Sequence, residues 1–435
     1  MREIQFITLN PGHFHAALVQ KEMYEHVSPT VHVYAPLGPE LLAHLSRIAA
    51  FNNRSEHPTN WKLEVHADAD YLERLAREKP GSVVVLAGRN ARKIDGILAA
   101  LEAGLNVLAD KPWIIVPNDL EKLQRALDLA DARGLIAHDI MTERYEVTSI
   151  LQRELVQDEP TFGTITPSSL NEPGVYMESV HFLKKTVAGA PLRRPAWFFD
   201  VHEQGEALSD VGTHLVDLVN WMLYPNQAIR LEQDICLMSA RRWATIVSRT
   251  GFQQITGESD YPAFLRDAVV NDDLPYFCNT AVHYAVRGVN VKLDVIWDYE
   301  AAAGGGDTHL AVFRGTRSRV EIRQGREEKY QPELYIVPVR TVDHSLVRLA
   351  LDRKIQSLGA MFPGLEAIDL GTHFRLGIPS RFRVGHEAHF AEVTKQFLRY
   401  VRGQDTMPTW EKPNMLAKYG VTTRGVELSR KPNRV

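Results

Sequence analysis

The chain has 435 residues, a formal net charge of −4, 44% hydrophobic and 24% charged residues. That length exceeds one compact core and fits two domains, the composition is that of a globular protein, and the near-neutral balance argues against nucleic acid as a partner. The two cysteines, Cys236 and Cys278, are far apart with no CxxC, so neither a disulfide framework nor a thiolate zinc site is expected. No signal peptide is read at the N-terminus and apolar runs such as "SVVVLAG" are too short for a bilayer, which sets a cytoplasmic, reduced location with no membrane partner as the expectation.

From the N-terminus, "IQFITL" reads as a buried strand and His15 to about Glu25 as a helix. "TVHVYAP" is a second strand, "ELLAHLSRIAAF" lies in a polar helix, and "VVVLAG" is the strongest strand in the chain. "ARKIDGILAALEAG" is helical with a stop at Gly104, and "LNVLADKP" is a strand ended by Pro112. "NDLEKLQRALDLADARG" is a helix capped by Asn118, and "LIAHDI" is a further strand. Apolar strands alternating with helices imply an α/β domain, a doubly wound parallel sheet of the Rossmann type over residues 1–141, with ligands at the carboxyl ends of its strands.

Residues 142–435 have a different character. A helix containing "TSILQREL" precedes a Pro/Gly-interrupted stretch to about Phe199, and then "GEALSDVGTHLVDLVNWML" forms a strongly amphipathic helix. "AVHYAVRGVNVKLDVIWDY", "THLAVFRGTRSRVEIRQ" and "ELYIVPV" alternate as antiparallel strands with one solvated face. "HEAHFAEVTKQFLRYV" and "NMLAKYGVTTRGVELS" are helical again, and such C-terminal helices can pack back on the first domain. The expected second domain is α+β, built on a large, mostly antiparallel sheet through which subunits pair as a homo-oligomer.

Two constellations carry chemistry. In "ADKP", Lys111 follows a buried strand; a Lys there is either an exposed strand-end residue or a partly desolvated amine with its pKa drawn toward ~7–8 for proton transfer. In "DVGTHLVD", Asp210 and His214 are i,i+4 neighbours and His214 and Asp217 are i,i+3 neighbours, so helical spacing puts all three on one face. A carboxylate beside a histidine makes a general base; the bland reading is the polar stripe of an amphipathic helix.

Together these segments resemble the Gfo/Idh/MocA family of sugar oxidoreductases. "VVVLAGRNARKIDGILAALEAGLNVLADKPW" is similar to that family's strand, helix and "EKP" segment, and "GEALSDVGTHLVDLVNWML" to its G-x-x-x-D-x-G-x-H-x-x-D helix. "MTERYEVTSILQREL" matches the stretch after the last nucleotide-domain strand. The resemblance implies NAD or NADP, NAD ahead of NADP, with cofactor contacts at Asn10, Gly12, His13, Phe14, Gly88, Asn90, Asp110 and Lys111. It implies that His214 is the general base, that Asp210 orients it or binds substrate, and that Lys111 donates a proton or orients a carbohydrate substrate. Arg144, Tyr145, His202, Asp217 and His309 are the remaining candidate substrate contacts, although each also has a packing or surface reading.

The cofactor end departs from the pattern. G-x-G-x-x-G is reduced to "NPGHFH", with Asn10, Gly12 and His15 at the glycine positions, or Gly12 at the third in a shifted alignment. Asp110 stands where the family has Glu, and "VYAP" offers no acid to a ribose 2′-hydroxyl. His13, His15, His181 and His202 have no ligand spacing, so no metal is expected, and "GGGDTH" is a hairpin turn or a loop beside the substrate. Three functions follow: net oxidation or reduction of a hydroxyl or carbonyl; redox-neutral cleavage or rearrangement of a glycoside by transient oxidation; or a non-catalytic ligand-binding homologue.

Overall fold

The computed structural model describes residues 3–187, 190–340 and 343–431. The chain forms two compact units: Met1–Tyr145 with Gly385–Lys412, and Glu146–Val384 with Pro413–Val435. The first boundary thus falls at Tyr145 rather than 141, and the helix His386–Val401 belongs to the first unit.

The first unit holds a six-stranded parallel sheet of β1 (Phe6–Leu9), β2 (Thr30–Ala35), β3 (Lys62–Ala67), β4 (Val83–Leu86), β5 (Asn106–Asp110) and β6 (Ala137–Ile140), in the order β3-β2-β1-β4-β5-β6. This is the doubly wound order, whose switch point lies between β1 and β4. β1 and β4 are buried at every position, as strands covered on both faces must be. One cover is the helix His386–Val401, whose Phe390, Val393 and Phe397 recur at helical spacing and pack with Phe6, Val83, Val85 and Leu108. Burying each of those phenylalanines contributes roughly 1.5–3 kcal/mol, so the returning helix is part of this core.

Several local expectations are corrected. The helix at His15 lasts one turn, His15–Leu18. The carbonyls that would continue it accept side-chain donors instead: Tyr24 Oη donates to Val19 O at 2.7 Å and Trp61 Nε1 to Gln20 O at 2.7 Å. The 3₁₀ turn Pro117–Asp119 precedes the helix Leu120–Arg133, so Asn118 does not cap it. β3 and the helix Tyr71–Glu78 occupy the stretch between "ELLAHLSRIAAF" and "VVVLAG", for which the sequence pattern predicts no element.

The second unit is built on β7 (Val175–Lys184), β10 (Ile235–Ser248), β11 (Asp273–Val286), β12 (Val289–Glu300), β13 (Thr308–Arg314), β14 (Ser318–Gln324), β15 (Glu333–Pro338), β16 (Glu366–Asp369) and β17 (Phe374–Gly377). They form one sheet in the order β10-β11-β12-β7-β13-β14-β15-β17-β16, while β8 (Thr186–Val187) and β9 (Ala190–Pro191) make a separate ribbon. Every pair in the large sheet is antiparallel except β12 with β7. Hence the expected α+β architecture is present, with β7 inserted at the sheet centre from far upstream. Helix Val147–Val156 lies on the buried face, where Gln152 Nε2 donates to the carbonyls of Ala311 and Val320 at 3.0 and 3.1 Å. The Asp/His segment is two consecutive helices, Ala207–Asp210 and Gly212–Leu223, joined through Val211 in αR geometry. It is buried nearly all round rather than amphipathic, with His214 half-buried on it. Among the described residues no helix is long and apolar enough to cross a membrane.

Candidate functional site

At the switch point β1 runs into Asn10, which takes the left-handed φ of 47° that a glycine would otherwise supply. The turn then closes tightly on the end of β4. A Cβ on Gly12 would lie 3.2 Å from Gly88 Cα, and one on Gly88 would lie 2.5 Å from Asn10 O. Turn-to-turn packing therefore requires glycine at 88, while a side chain at 12 would need the facing backbone to give by a few tenths of an ångström. The amides are directed inward: Asn10 N donates to Tyr34 O, Gly12 N to Asn10 O and His13 N to Ala87 O, at 2.8, 2.8 and 3.0 Å. In this conformation the three amides do not stand free: each bonds a carbonyl of the protein. Nor does the single helical turn after Phe14 provide the dipole of a full helix.

His15, at the third glycine position, reaches the end of β5, where its Nδ1 lies 2.9 Å from Asp110 Oδ2; His13 Nδ1 is 3.7 Å from the same oxygen. Burial favours the neutral His15 ring. For Asp110 burial acts upward, but His15, Lys93 and His13 hold the carboxyl far below the usual carboxylate range. Because an ionised carboxylate only accepts, His15 Nδ1 is the donor of this hydrogen bond. Of the four histidines without ligand spacing in the sequence, His13 and His15 converge here with Asp110.

Lys93 was missed. It is 5% exposed and donates to Asn90 Oδ1 at 2.7 Å and to the carbonyls of Asp110 and Pro112, each at 3.0 Å, bracing the loops after β4 and β5. Its signal was in the sequence: Lys93 shares the apolar stripe with Ile97 and Leu101. Lys111 follows at the end of β5, 9% exposed, which removes its reading as a solvated strand-end residue.

Of the two candidate substrate contacts here, Arg144 is engaged locally and Tyr145 packs partly buried against the core of the first unit. Arg144 makes a two-point ion pair with the buried Glu411, at 2.6 and 3.3 Å, and lies over the Trp410 ring. Burial raises the Tyr145 phenol to about 12.

In the second unit Asp210 is 9% exposed and accepts from Gln204 Nε2 at 3.2 Å. His214 follows one turn later. Asp217, on the same helix, is not presented to a substrate: its carboxylate bonds Lys418 Nζ at 2.9 Å, with side chains 3% and 1% exposed. His202 lies exposed in a loop, its backbone amide on Asp200, and His309 begins β13 half-buried. The unexpected cluster is Ser179, His181, Lys185 and Asp307. Ser179 Oγ is 2.9 Å from His181 Nε2, His181 Nδ1 is 3.1 Å from Asp307 Oδ2, and Lys185 Nζ is 2.8 Å from that oxygen. Burial opposes the Asp307 charge, but the His181 hydrogen bond and Lys185 bring it down to about 2. The His181 ring packs against Trp297, which stands beside Arg194 and Phe198.

Residues 151–430 match the family described as "Putative oxidoreductase C terminal domain". The crystal structure of a protein from Parabacteroides merdae described as a "putative oxidoreductase" is 45% identical, with a TM-score of 0.96 over 99% of this chain and 98% of that one. KijD10, a 3-ketoreductase from Actinomadura kijaniata solved with NADP and TDP-benzene, is 15% identical, covering 97% of each chain at a TM-score of 0.58. GenD2 from gentamicin A biosynthesis, solved with NAD, is 15% identical at 0.58, covering 99% of this chain and 94% of that one. The last two share the fold alone. No curated protein matches the chain.

Proposed function

The chain belongs to the oxidoreductase family whose C-terminal domain it carries, and from that premise we propose a nicotinamide-dependent oxidoreductase of the Gfo/Idh/MocA type. Its substrate is a sugar, polyol or glycoside, oxidised or reduced at one hydroxyl-bearing carbon. The observation that carries this reading is the buried group Asn90, Lys93, Asp110 and Lys111 at the carboxyl ends of β4 and β5. Such a set fits the nicotinamide end of a dinucleotide: an ionised carboxylate accepts from ribose hydroxyls, the Lys111 ammonium complements phosphate, and Lys93 holds the two loops in place. At the adenosine end β2 closes on Ala35 and Pro36 with no carboxylate, so affinity rests on the nicotinamide half. When bound, the nicotinamide supplies the hydride acceptor or donor.

The chain's own residues supply proton traffic and placement. His214 takes the proton of the reacting hydroxyl on a ring nitrogen, and Asp210, fixed by Gln204, stabilises the resulting imidazolium one turn away. Lys111 orients the reacting oxygen. Trp297, Arg194 and His309 supply a ring face and polar contacts suited to a carbohydrate. The open face of the antiparallel sheet, where Met238 and Ile246 are exposed, supports pairing with a second copy.

A second reading, redox-neutral glycoside cleavage, is favoured by one observation. His181, with Nδ1–H on Asp307, is a further base that could remove a proton from carbon beside a transient carbonyl. Release of free sugar without net NADH would select it.

The test is titration with NADH and NADPH, followed by nicotinamide absorbance across a panel of sugars and polyols. Saturable binding is expected, with kcat/KM falling by about 10²-fold or more in Lys111→Ala and His214→Ala. Absence of binding to either dinucleotide at millimolar concentration would sink the proposal.

A further inference from the structure

We infer that His32, Glu64 and His66 form a site for a divalent transition-metal ion, zinc by its donor set, at the outer edge of the parallel sheet in the first unit. β3 is the edge strand, bonded only to β2. The register opposes His32 to Glu64 and Tyr34 to His66, so all three donors share one face of the sheet. His32 Nδ1 lies 3.3 Å from His66 Nε2 and 3.3 Å from Glu64 Oε2, and the three donor atoms lie within 4.8 Å of one another. A tetrahedral zinc with bonds of about 2.0–2.1 Å sets neighbouring donors about 3.3 Å apart. A proton on His32 Nδ1 would have to be shared between two equidistant acceptors, whereas an ion in the same place binds all three groups.

The surroundings hold these donors in position. Gln5 Nε2 lies 3.0 Å from His32 Nε2; with that carboxamide turned end for end, its oxygen accepts the Nε2–H and leaves the Nδ1 lone pair for the ion. His66 stacks on Tyr34 with centroids 4.3 Å apart and planes at 19°, and the Tyr34 hydroxyl donates to Glu78 at 2.6 Å. Glu64 is exposed, which leaves an entry path and room for water as the fourth ligand. Two imidazoles and a carboxylate select zinc and its neighbours over magnesium or calcium. The ion would clamp the edge strand to β2.

The experiment is calorimetric titration of the metal-stripped full-length protein with Zn²⁺, with Co²⁺ absorption as a readout of four-coordinate geometry. The wild type should take one zinc at this site and melt higher in its presence. His66→Ala and Glu64→Gln, at half-buried and exposed positions, should each weaken that binding at least tenfold while leaving the metal-free melting temperature unchanged. His13→Ala reports on the other histidine cluster and should leave it intact. No zinc uptake by the wild type, unchanged uptake in His66→Ala, or uptake abolished by His13→Ala overturns the assignment.

Discussion

Replacing Lys418 with Met should destabilise the second unit while leaving the chemistry of Asp210 and His214 in place. The Lys418–Asp217 pair is 2.9 Å long with side chains 1% and 3% exposed. Removing the ammonium leaves the Asp217 carboxylate in a low-dielectric interior, a cost of about 3–5 kcal/mol. For a unit of about 260 residues, an unfolding entropy near ~2.1 cal/mol/K per residue converts that loss into a fall of roughly 5–9 °C in melting temperature. Differential scanning calorimetry of the full chain measures it. Asp217→Leu combined with Lys418→Met should recover most of the loss, because no lone charge remains buried. A single variant that melts with the wild type, or a double variant no better than the single, refutes the reasoning. So does Asp217→Asn that abolishes turnover at an unchanged melting temperature, since that would make Asp217 a substrate ligand.

Gly88→Ala places a methyl 2.5 Å from Asn10 O; it should cost about 1–3 kcal/mol and weaken dinucleotide binding, and unchanged melting and affinity would disprove the tight turn. His44 is 2% exposed, and burial, with Arg47 nearby, lowers it from 6.5 to about 4. Below its ordinary pKa the unfolded chain takes a proton that the folded chain refuses. Stability is therefore full above pH ~6.5 and falls by up to ~3 kcal/mol as pH drops to ~4. His44→Leu should flatten that stretch of the stability–pH curve, and parallel curves would contradict the assignment. The Tyr284 hydroxyl is buried with no hydrogen-bond partner among the described residues. Tyr284→Phe should therefore be neutral or stabilising by up to about 1 kcal/mol in chemical denaturation, and a clear loss would reveal a partner for the hydroxyl.

The parallel core was readable because β1, β4 and β5 are strands buried on both faces and so are nearly unbroken apolar runs. β3 was not, since "KLEVHA" is an exposed edge with charges on the face its histidine occupies. The following helix keeps only Leu75 buried, too little for a periodic signal. β10 is half-exposed over most of its length, and β7 follows a Pro/Gly-rich loop, so neither stood out. In the site, Lys111, Asp210 and His214 were visible as motifs. Helical spacing put Asp217 on their face but could not name its partner, which lies 201 residues downstream in Lys418. Glu411, which holds Arg144, was hidden for the same reason.

The split composition of the first unit has a consequence for synthesis. Its core lacks Phe390, Val393 and Phe397 until Gly385–Lys412 has been made. Between Tyr145 and that segment the ribosome must add about 240 residues, roughly 12–48 s at 5–20 residues per second. During that interval the sheet's apolar face around Phe6, Val83 and Leu108 is uncovered, a natural target for a holding chaperone. The sheet of the first unit therefore leaves the ribosome well before the helix that completes its core, and a fragment stopped at Tyr145 should aggregate instead of behaving as an independent domain.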